Sequence, residues 1–406
     1  MSLLLGTNTY WEFLGQCTEC GHCREACPSL SCAGMNLGQI AKRLLKLQRE
    51  ALDAADGDES QANIARLMAQ DSELVQAVRG CFFCTQCTQA CFAHNDVTKL
   101  IYAARTDFQN QRLIPREAWT SVQVDQEWDI FTAYRAIHGI GYADLTRHYD
   151  AEGNIVANDF ETAFFPGCSL AAYAPELTRE VFATIEELGG KTTMIDRCCG
   201  SSLKSAGFSD RAIALCDLIV SELAATGVKR VVCVCPGCAN DISIALARNG
   251  VELEVLTAAE FLLQKGFTPK RSFEGKELCF SKSCQDRKGY CLDAPRELMG
   301  VSEDAITVFK GCCGAGGAVS AFDANRQAQQ VDTKMANAQD GQTLVTMCPT
   351  CTYTYAYRLM SAPRDIKNKH YLELMFESQI DWEKNFNQLG SMWSGQYGAW
   401  LAQVFA

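Results

Sequence analysis

Two stretches of this 406-residue chain, RCCG at 197–200 and GCCG at 311–314, each put two thiols on neighbouring residues. Neighbouring cysteines make a poor disulfide, because a bridge wants Cα atoms about 4.4–6.8 Å apart with a defined torsion. Each pair belongs to a larger set: Cys168, Cys198, Cys199, Cys235 and Cys238 first, then Cys284, Cys312, Cys313, Cys348 and Cys351. Five thiols exceed the four that close a structural zinc site and the four that an ordinary cubane cluster takes. Neighbouring thiolates point differently along the chain, so the pattern suits an extended metal–sulfur cluster with bridging sulfurs better than one compact corner.

A second constellation lies upstream. CTECGHCREACP (17–28) is C-x2-C-x2-C-x3-C-P, the run of bacterial ferredoxins. CFFCTQCTQACF (81–92) repeats that spacing with Phe92 where proline is usual. In two-cluster ferredoxins the fourth cysteine of each run ligates the other cluster. The expected sets are therefore Cys17, Cys20, Cys23 and Cys91 for one [4Fe–4S] cubane, and Cys81, Cys84, Cys87 and Cys27 for the other. A pair of zinc ribbons would group its ligands as two C-x-x-C pairs, whereas here each run carries its own four.

Composition agrees. Twenty-three cysteines, an odd number gathered in clusters, argue for metal or cluster binding in a reducing compartment rather than a disulfide scaffold. The opening MSLLLGTNTYWEF lacks the basic start and cleavage site of a signal peptide. No stretch approaches the roughly 18 unbroken apolar residues of a membrane span. A cytoplasmic chain is expected, at most peripheral at the inner face of a membrane through a partner subunit. A net charge of −11 argues against nucleic acid as principal partner.

The elements that must position these thiols follow from periodicity. LGQIAKRLLKLQREAL (37–52) and QANIARLMAQDSELVQAV (61–78) carry apolar residues at helical spacing. From residue 160 onward the chain repeats itself: FFPGC (164–168) matches FSKSC (280–284), and VCVCPGC (232–238) matches VTMCPTC (345–351). The intervals match as well, 30 residues from Cys168 to Cys198 against 28 from Cys284 to Cys312, and 36 from Cys199 to Cys235 against 35 from Cys313 to Cys348. Strand-like runs, KRVVCVC (229–235) and QTLVTMC (342–348), alternate with helical ones at 209–227 and 324–341. This predicts a helical two-cluster ferredoxin domain followed by tandem α/β (Rossmann-like) cysteine-rich domains, with ligands at strand ends. The expected limits are 1–112 for the ferredoxin part, 113–160 for a connector with a turn at AEGN (151–154), 161–275 and 276–375 for the two copies, and 376–406 for a tail.

The tandem pattern C-x(about 30)-C-C-G-x(about 35)-C-x-x-C resembles the cysteine-rich CCG domains of heterodisulfide reductases. With two ferredoxin motifs in front, the chain is similar to the fused, D-type polypeptide of that family over about 350 of its 406 residues. The resemblance implies that each five-cysteine set holds a noncubane [4Fe–4S] cluster with bridging thiolates. It implies further that a disulfide such as CoB–S–S–CoM is split, or formed, between the two. Electrons would pass through the cubanes from a membrane cytochrome b, a flavoprotein or a ferredoxin. The same architecture occurs in the iron–sulfur subunits of glycolate, lactate and anaerobic glycerol-3-phosphate dehydrogenases, which relay electrons from a flavin towards quinone. Those often lack members of one five-cysteine set, and this sequence keeps all ten.

Other residues stand beside these sets. Gly200, Gly314, Gly316 and Gly317 either let backbone amides approach sulfur or simply turn the chain. Arg197, Lys204, Lys282, Arg287, Lys288 and Lys310 flank the ligands and could meet an anionic thiol or remain solvated. Cys32, Cys216, Cys233 and Cys279 read as buried core thiols, and Cys291 stays undecided. His22 could tune a cluster or face solvent. In the tail, Trp393, Tyr397, Trp400 and Phe405 could dock on a partner or on the chain's own surface.

Overall fold

The computed structural model describes residues 3–54, 57–114, 130–156, 159–286, 291–309, 311–321, 323–392 and 394. Most of the aromatic tail, with Trp393, Tyr397, Trp400 and Phe405, lies outside the described residues, as does much of the 113–160 connector. The chain forms two compact units. One comprises Met1–Trp119 with Ser202–Asp210 and Ala315–Gln327; the other comprises Thr120–Ser201, Arg211–Gly314 and Ala328–Ala406.

The first unit is helical. Helix Leu37–Ala54 buries Ile40, Ala41, Leu44, Leu45 and Ala51, the apolar stripe that the spacing predicts. The pattern at 61–78 becomes two helices, Asp58–Gln70 and Ser72–Arg79, because Asp71 turns its carboxylate onto the Leu74 amide (3.1 Å) and caps the second. Helix Val97–Asn110 starts the same way, with Asp96 accepting from the Thr98 amide at 3.1 Å. Its far end carries Asp107, which accepts from the Leu5 amide at 2.6 Å, from the Gly6 amide and from the Tyr10 hydroxyl. Burial pushes that carboxyl up to about 6, against the pull of these three donors. Tyr10→Phe leaves a buried carboxylate short of one donor and should cost about 1–3 kcal/mol, read as a lower urea midpoint for the whole chain.

The second unit holds two four-stranded parallel sheets. β1 (Thr162–Phe165), β2 (Thr192–Met194), β3 (Arg230–Cys233) and β4 (Glu254–Thr257) run in the order β2-β1-β3-β4. β5 (Leu278–Ser281), β6 (Thr307–Phe309), β7 (Thr343–Thr346) and β8 (Lys367–His370) repeat it as β6-β5-β7-β8. The central strands β1 and β5 are buried along their whole length, as expected of strands covered on both faces. The duplication is thus structural as well as sequential: Phe165 pairs with Cys233 and Cys233 with Thr257, while Ser281 pairs with Thr346 and Thr346 with His370. Thr257 and His370 each cap the helix that follows in a reciprocal capping box with Glu260 and Glu373. One hydrophobic core runs through both halves, with Phe164 and Val232 of the first and Phe280 and Val345 of the second.

Candidate iron–sulfur sites

In the first unit the two ferredoxin runs build matching loops. Cys17 closes helix Thr7–Gln16, and Gly21, at φ 87°, starts the single turn His22–Glu25 that carries Cys23. In the second run Thr85 takes the left-handed conformation (φ 62°) and starts the turn Gln86–Gln89 that carries Cys87. One cavity is lined by Cys17, Cys20, Cys23 and Cys91, with Phe13, Leu37 and Val97 as its apolar wall. Gly38 abuts it, since a Cβ there would come within 3.0 Å of the Cys17 sulfur.

Burial raises the Cys27 thiol, and Cys84 of the other run and then Cys23 of its own raise it further. Burial likewise pushes Cys81 up to about 12, opposed by Arg105 and reinforced by Cys27 and Cys84. Cys87 rises still further, through burial and then Cys81, Cys27 and Cys84. Neighbouring thiols such as Cys27, Cys81 and Cys87, whose ionisation burial and one another oppose, need a cationic centre before they can all become thiolates. A thiolate-ligated iron cluster supplies that, so the residues present fit one. Among the described residues no three His, Cys, Asp or Glu side chains gather round a point as a single metal ion would require. The first site lies nearer solvent: Cys20 is exposed, and the backbone and ring of His22 lower its thiol to about 7. His22 packs edge-on against the exposed Phe92, ring centroids 4.5 Å apart.

The second unit gathers the five-cysteine sets at the carboxyl ends of the central strands. Cys168 follows β1, while Cys235 caps helix Pro236–Arg248 and Cys238 lies in its first turn. The Cys198 sulfur lies 4.0 Å from that of Cys168, and the Cys238 sulfur 3.4 Å from that of Cys199. Hydrogen bonds between sulfurs push Cys199 down, from Cys198 and then Cys238, and push Cys235 down, from Cys238 and then Cys348. All five thiols of the first set are joined by these contacts. The other half follows the same plan. Cys348 caps helix Pro349–Ser361, Cys351 lies in its first turn, and the hydrogen-bonding partners that raise Cys351 are Cys313 and Cys348. Cys284 stands beyond β5 as Cys168 stands beyond β1, with the Gln285 side-chain Nε2 donating to its sulfur at 4.0 Å.

The sets also meet each other. Cys235 and Cys348 bring their sulfurs to 3.8 Å, and the Tyr173 hydroxyl donates to the Pro349 carbonyl. All 23 cysteines are free thiols, and contacts of 3.4–4.0 Å are far longer than a disulfide bond of about 2.05 Å. The glycine after each pair works alike in both halves: the Gly200 amide donates to the Cys198 sulfur at 3.4 Å and the Gly314 amide to the Cys312 sulfur at 3.2 Å. Both sit at positive φ, 76° and 80°. Gly316 and Gly317 instead pack in the first unit, against the carbonyls of Phe82 and Cys81.

Several flanking residues have other employment. Arg197 pairs with Glu222, which also accepts from Tyr149 and bonds the buried His148 at 2.7 Å, so this cation is part of the framework. Lys204 lies 4.5 Å over the Tyr102 ring, and Lys282 faces Asp286 at 3.8 Å. Arg287, Lys288 and Lys310 lie outside the described residues. Cys216, Cys233 and Cys279 are buried as expected, Cys216 donating to the Cys199 carbonyl at 3.1 Å. Cys32 is exposed rather than buried, a correction that follows from its place at the end of the short surface helix Pro28–Cys32. Cys291 is half-buried, its amide donating to Asp286 at 3.1 Å. One supporting residue carries no motif. Lys334 is buried, and its Nζ donates to the Lys282 carbonyl at 3.0 Å and the Gly311 carbonyl at 2.6 Å, tying together the loops that bear Cys284 and Cys312. Its position beside Val331 and Met335 on a buried helix face is the one signal the sequence offers for it.

Known protein families match three stretches of the chain. A 4Fe-4S dicluster domain matches residues 13–96, and a cysteine-rich domain matches twice, at 162–243 and 283–355. The D component of the dihydromethanophenazine:CoB–CoM heterodisulfide reductase of Methanosarcina mazei is 25% identical over 397 residues, covering 90% of this chain and 94% of the relative. The chain is a D-type, heterodisulfide reductase-like iron–sulfur protein. The corresponding D component from Methanosarcina acetivorans is 24% identical over 364 residues, 83% of this chain and 87% of its own length. The B component of a fumarate reductase (CoM/CoB) from Methanothermobacter marburgensis is 24% identical over 222 residues, 52% of this chain and 45% of that one. The heterodisulfide reductase-like chain is therefore an electron-transfer iron–sulfur subunit, and its named relatives are parts of multi-subunit oxidoreductases. Among the described residues no helix is long and apolar enough to cross a membrane.

Proposed function

We propose that the heterodisulfide reductase-like chain reduces, or forms, a disulfide of two small thiols at the meeting of its two five-cysteine sets. One observation carries this reading: Cys235 and Cys348, from the two halves, stand 3.8 Å apart. On this reading Cys168, Cys198, Cys199, Cys235 and Cys238 hold one noncubane cluster, and Cys284, Cys312, Cys313, Cys348 and Cys351 the other. When bound, the paired clusters supply the two electrons that cleave one S–S bond, with two protons from solvent completing two thiols. The protein's own contribution is orientation and exclusion of water. Gly200 and Gly314 direct amides at ligand sulfurs, while the buried Tyr173 hydroxyl locks the loop of Cys348. The eight ferredoxin-type cysteines hold two cubanes that bring electrons from a redox partner, a membrane cytochrome b or a flavoprotein. Each α/β half is read as Rossmann-like, with the domain limits given above, and the chain as cytoplasmic, held to a membrane only through that partner.

Four clusters require about sixteen irons and as many labile sulfides per chain. Anaerobically reconstituted protein should reach that content. The oxidised form should develop a new paramagnetic signal with one of a panel of small thiols. A full complement of iron with silence towards every thiol and disulfide would favour a relay for a flavin dehydrogenase instead.

A further inference from the structure

We propose that Arg105 is a positioning residue for the Cys27, Cys81, Cys84 and Cys87 cluster, clamping its ligand loop and raising its reduction potential. The inference rests on the reading of those four cysteines as ligands. Arg105 lies on helix Val97–Asn110 and is completely buried. Among the described residues its fork donates to five carbonyl oxygens. Nε donates to Val78 at 2.7 Å and Nη2 to Arg79 at 2.8 Å and Cys81 at 3.2 Å, which fixes the backbone entering the second ferredoxin run. Nη1 donates to Ser205 at 3.1 Å and Gly317 at 2.9 Å. Those two acceptors lie on Ser202–Asp210 and Ala315–Gln327, the segments of the first unit that follow the two cysteine pairs in sequence. A guanidinium has five N–H donors in one plane, so this one reaches three separate pieces of chain at once.

The backbone is shaped to allow it. A Cβ on Gly317 (φ 73°) would lie 1.9 Å from the Cys81 carbonyl oxygen, and one on Gly316 would lie 2.2 Å from that of Phe82. A Cβ on Gly207 (φ 96°) would lie 2.4 Å from the carbonyl oxygen of Arg105 itself. At each point only glycine admits so close an approach. A guanidinium stays protonated in proteins, so Arg105 brings a permanent positive charge beside Cys81. A fixed positive charge beside a ligand favours the more negative, reduced state of a cluster.

The test compares Arg105→Gln and Arg105→Lys in the full reconstituted chain by redox titration of the paramagnetic signals of the two cubanes. At the potential where the wild-type second cubane is half reduced, Arg105→Gln should lower its reduced-to-oxidised ratio at least tenfold, equivalent to 59 mV for one electron. The Cys17, Cys20, Cys23 and Cys91 cubane should titrate as before. Arg105→Lys keeps the charge without the fork: its ratio should stay within about threefold of wild type, while Ser202–Asp210 and Ala315–Gln327 become protease-sensitive. If both cubanes shift together in Arg105→Gln, or neither does at full iron content, the charge role is wrong. If Arg105→Gln takes up no iron, Arg105→Lys decides alone, and a tenfold shift in it overturns the proposal. Unchanged protease resistance in Arg105→Lys overturns the clamp. Absence of the second cubane from wild-type protein would instead sink the ligand reading beneath it.

Discussion

Cys199→Ser and Cys313→Ser should each bring disulfide turnover below about a thousandth of wild type while leaving both ferredoxin-type signals in place. Groups that act as a unit lose nearly everything with one member, so a single ligand in either set should weigh as much as several. Cys199 is the better case. It is buried, and hydrogen bonds with Cys198 and Cys238 lower its thiol pKa. Cys313 is buried in the other half and bonded to Cys351. Iron content in each variant should fall by about four per chain, the content of one cluster. The control is Cys216→Ser, which changes a neighbouring buried thiol that donates to the Cys199 carbonyl. Its iron content and turnover should match wild type. A Cys199→Ser variant that turns over normally would remove the first set from the chemistry, and equal losses in Cys216→Ser would mean that folding rather than ligation had been measured.

Much of this site is legible in the sequence because cluster ligands are spaced by local geometry. C-x-x-C puts two thiols at the start of a helix, and Cys235 with Cys238, and Cys348 with Cys351, stand where that spacing predicts. The duplication is legible through the matched intervals, and it reappears as two sheets with the same strand order. What is not legible depends on distant partners. Nothing near residues 202–210 or 315–327 marks them as part of the first unit. They join it because glycines permit close backbone approach and because Arg105, about one hundred residues before the first, gathers their carbonyls. The break at Asp71 sets a continuing apolar stripe against a capping carboxylate, and the cap wins. Burial of Cys32 does not follow from its residue type, because the short helix bearing it ends at the surface.

The proposed exchange of fourth ligands between the ferredoxin runs gives the second large effect. Cys91→Ala should remove the cubane of the first run, and Cys27→Ala that of the second, the reverse of what sequence proximity implies. Cys91 shares its cavity with Cys17, Cys20 and Cys23, and the groups that raise Cys87 after burial are Cys81, Cys27, Cys84 and, last, Cys23. Cys23 lies in the turn His22–Glu25 and Cys27 follows it in extended backbone, while Cys87 lies in the turn Gln86–Gln89 and Cys91 follows that one. Because the two cubanes have different signals, reference variants identify them: Cys20→Ala marks loss of the first and Cys84→Ala loss of the second. The spectrum of Cys91→Ala should superimpose on that of Cys20→Ala, and that of Cys27→Ala on that of Cys84→Ala. If the pairing comes out the other way, each run keeps its own four thiols. Arg105, hydrogen-bonded to the Cys81 carbonyl, would then stand beside a cluster ligated by Cys91 instead of Cys27. The effect of its charge would remain testable, since it depends on Cys81 rather than on which fourth thiol completes the site.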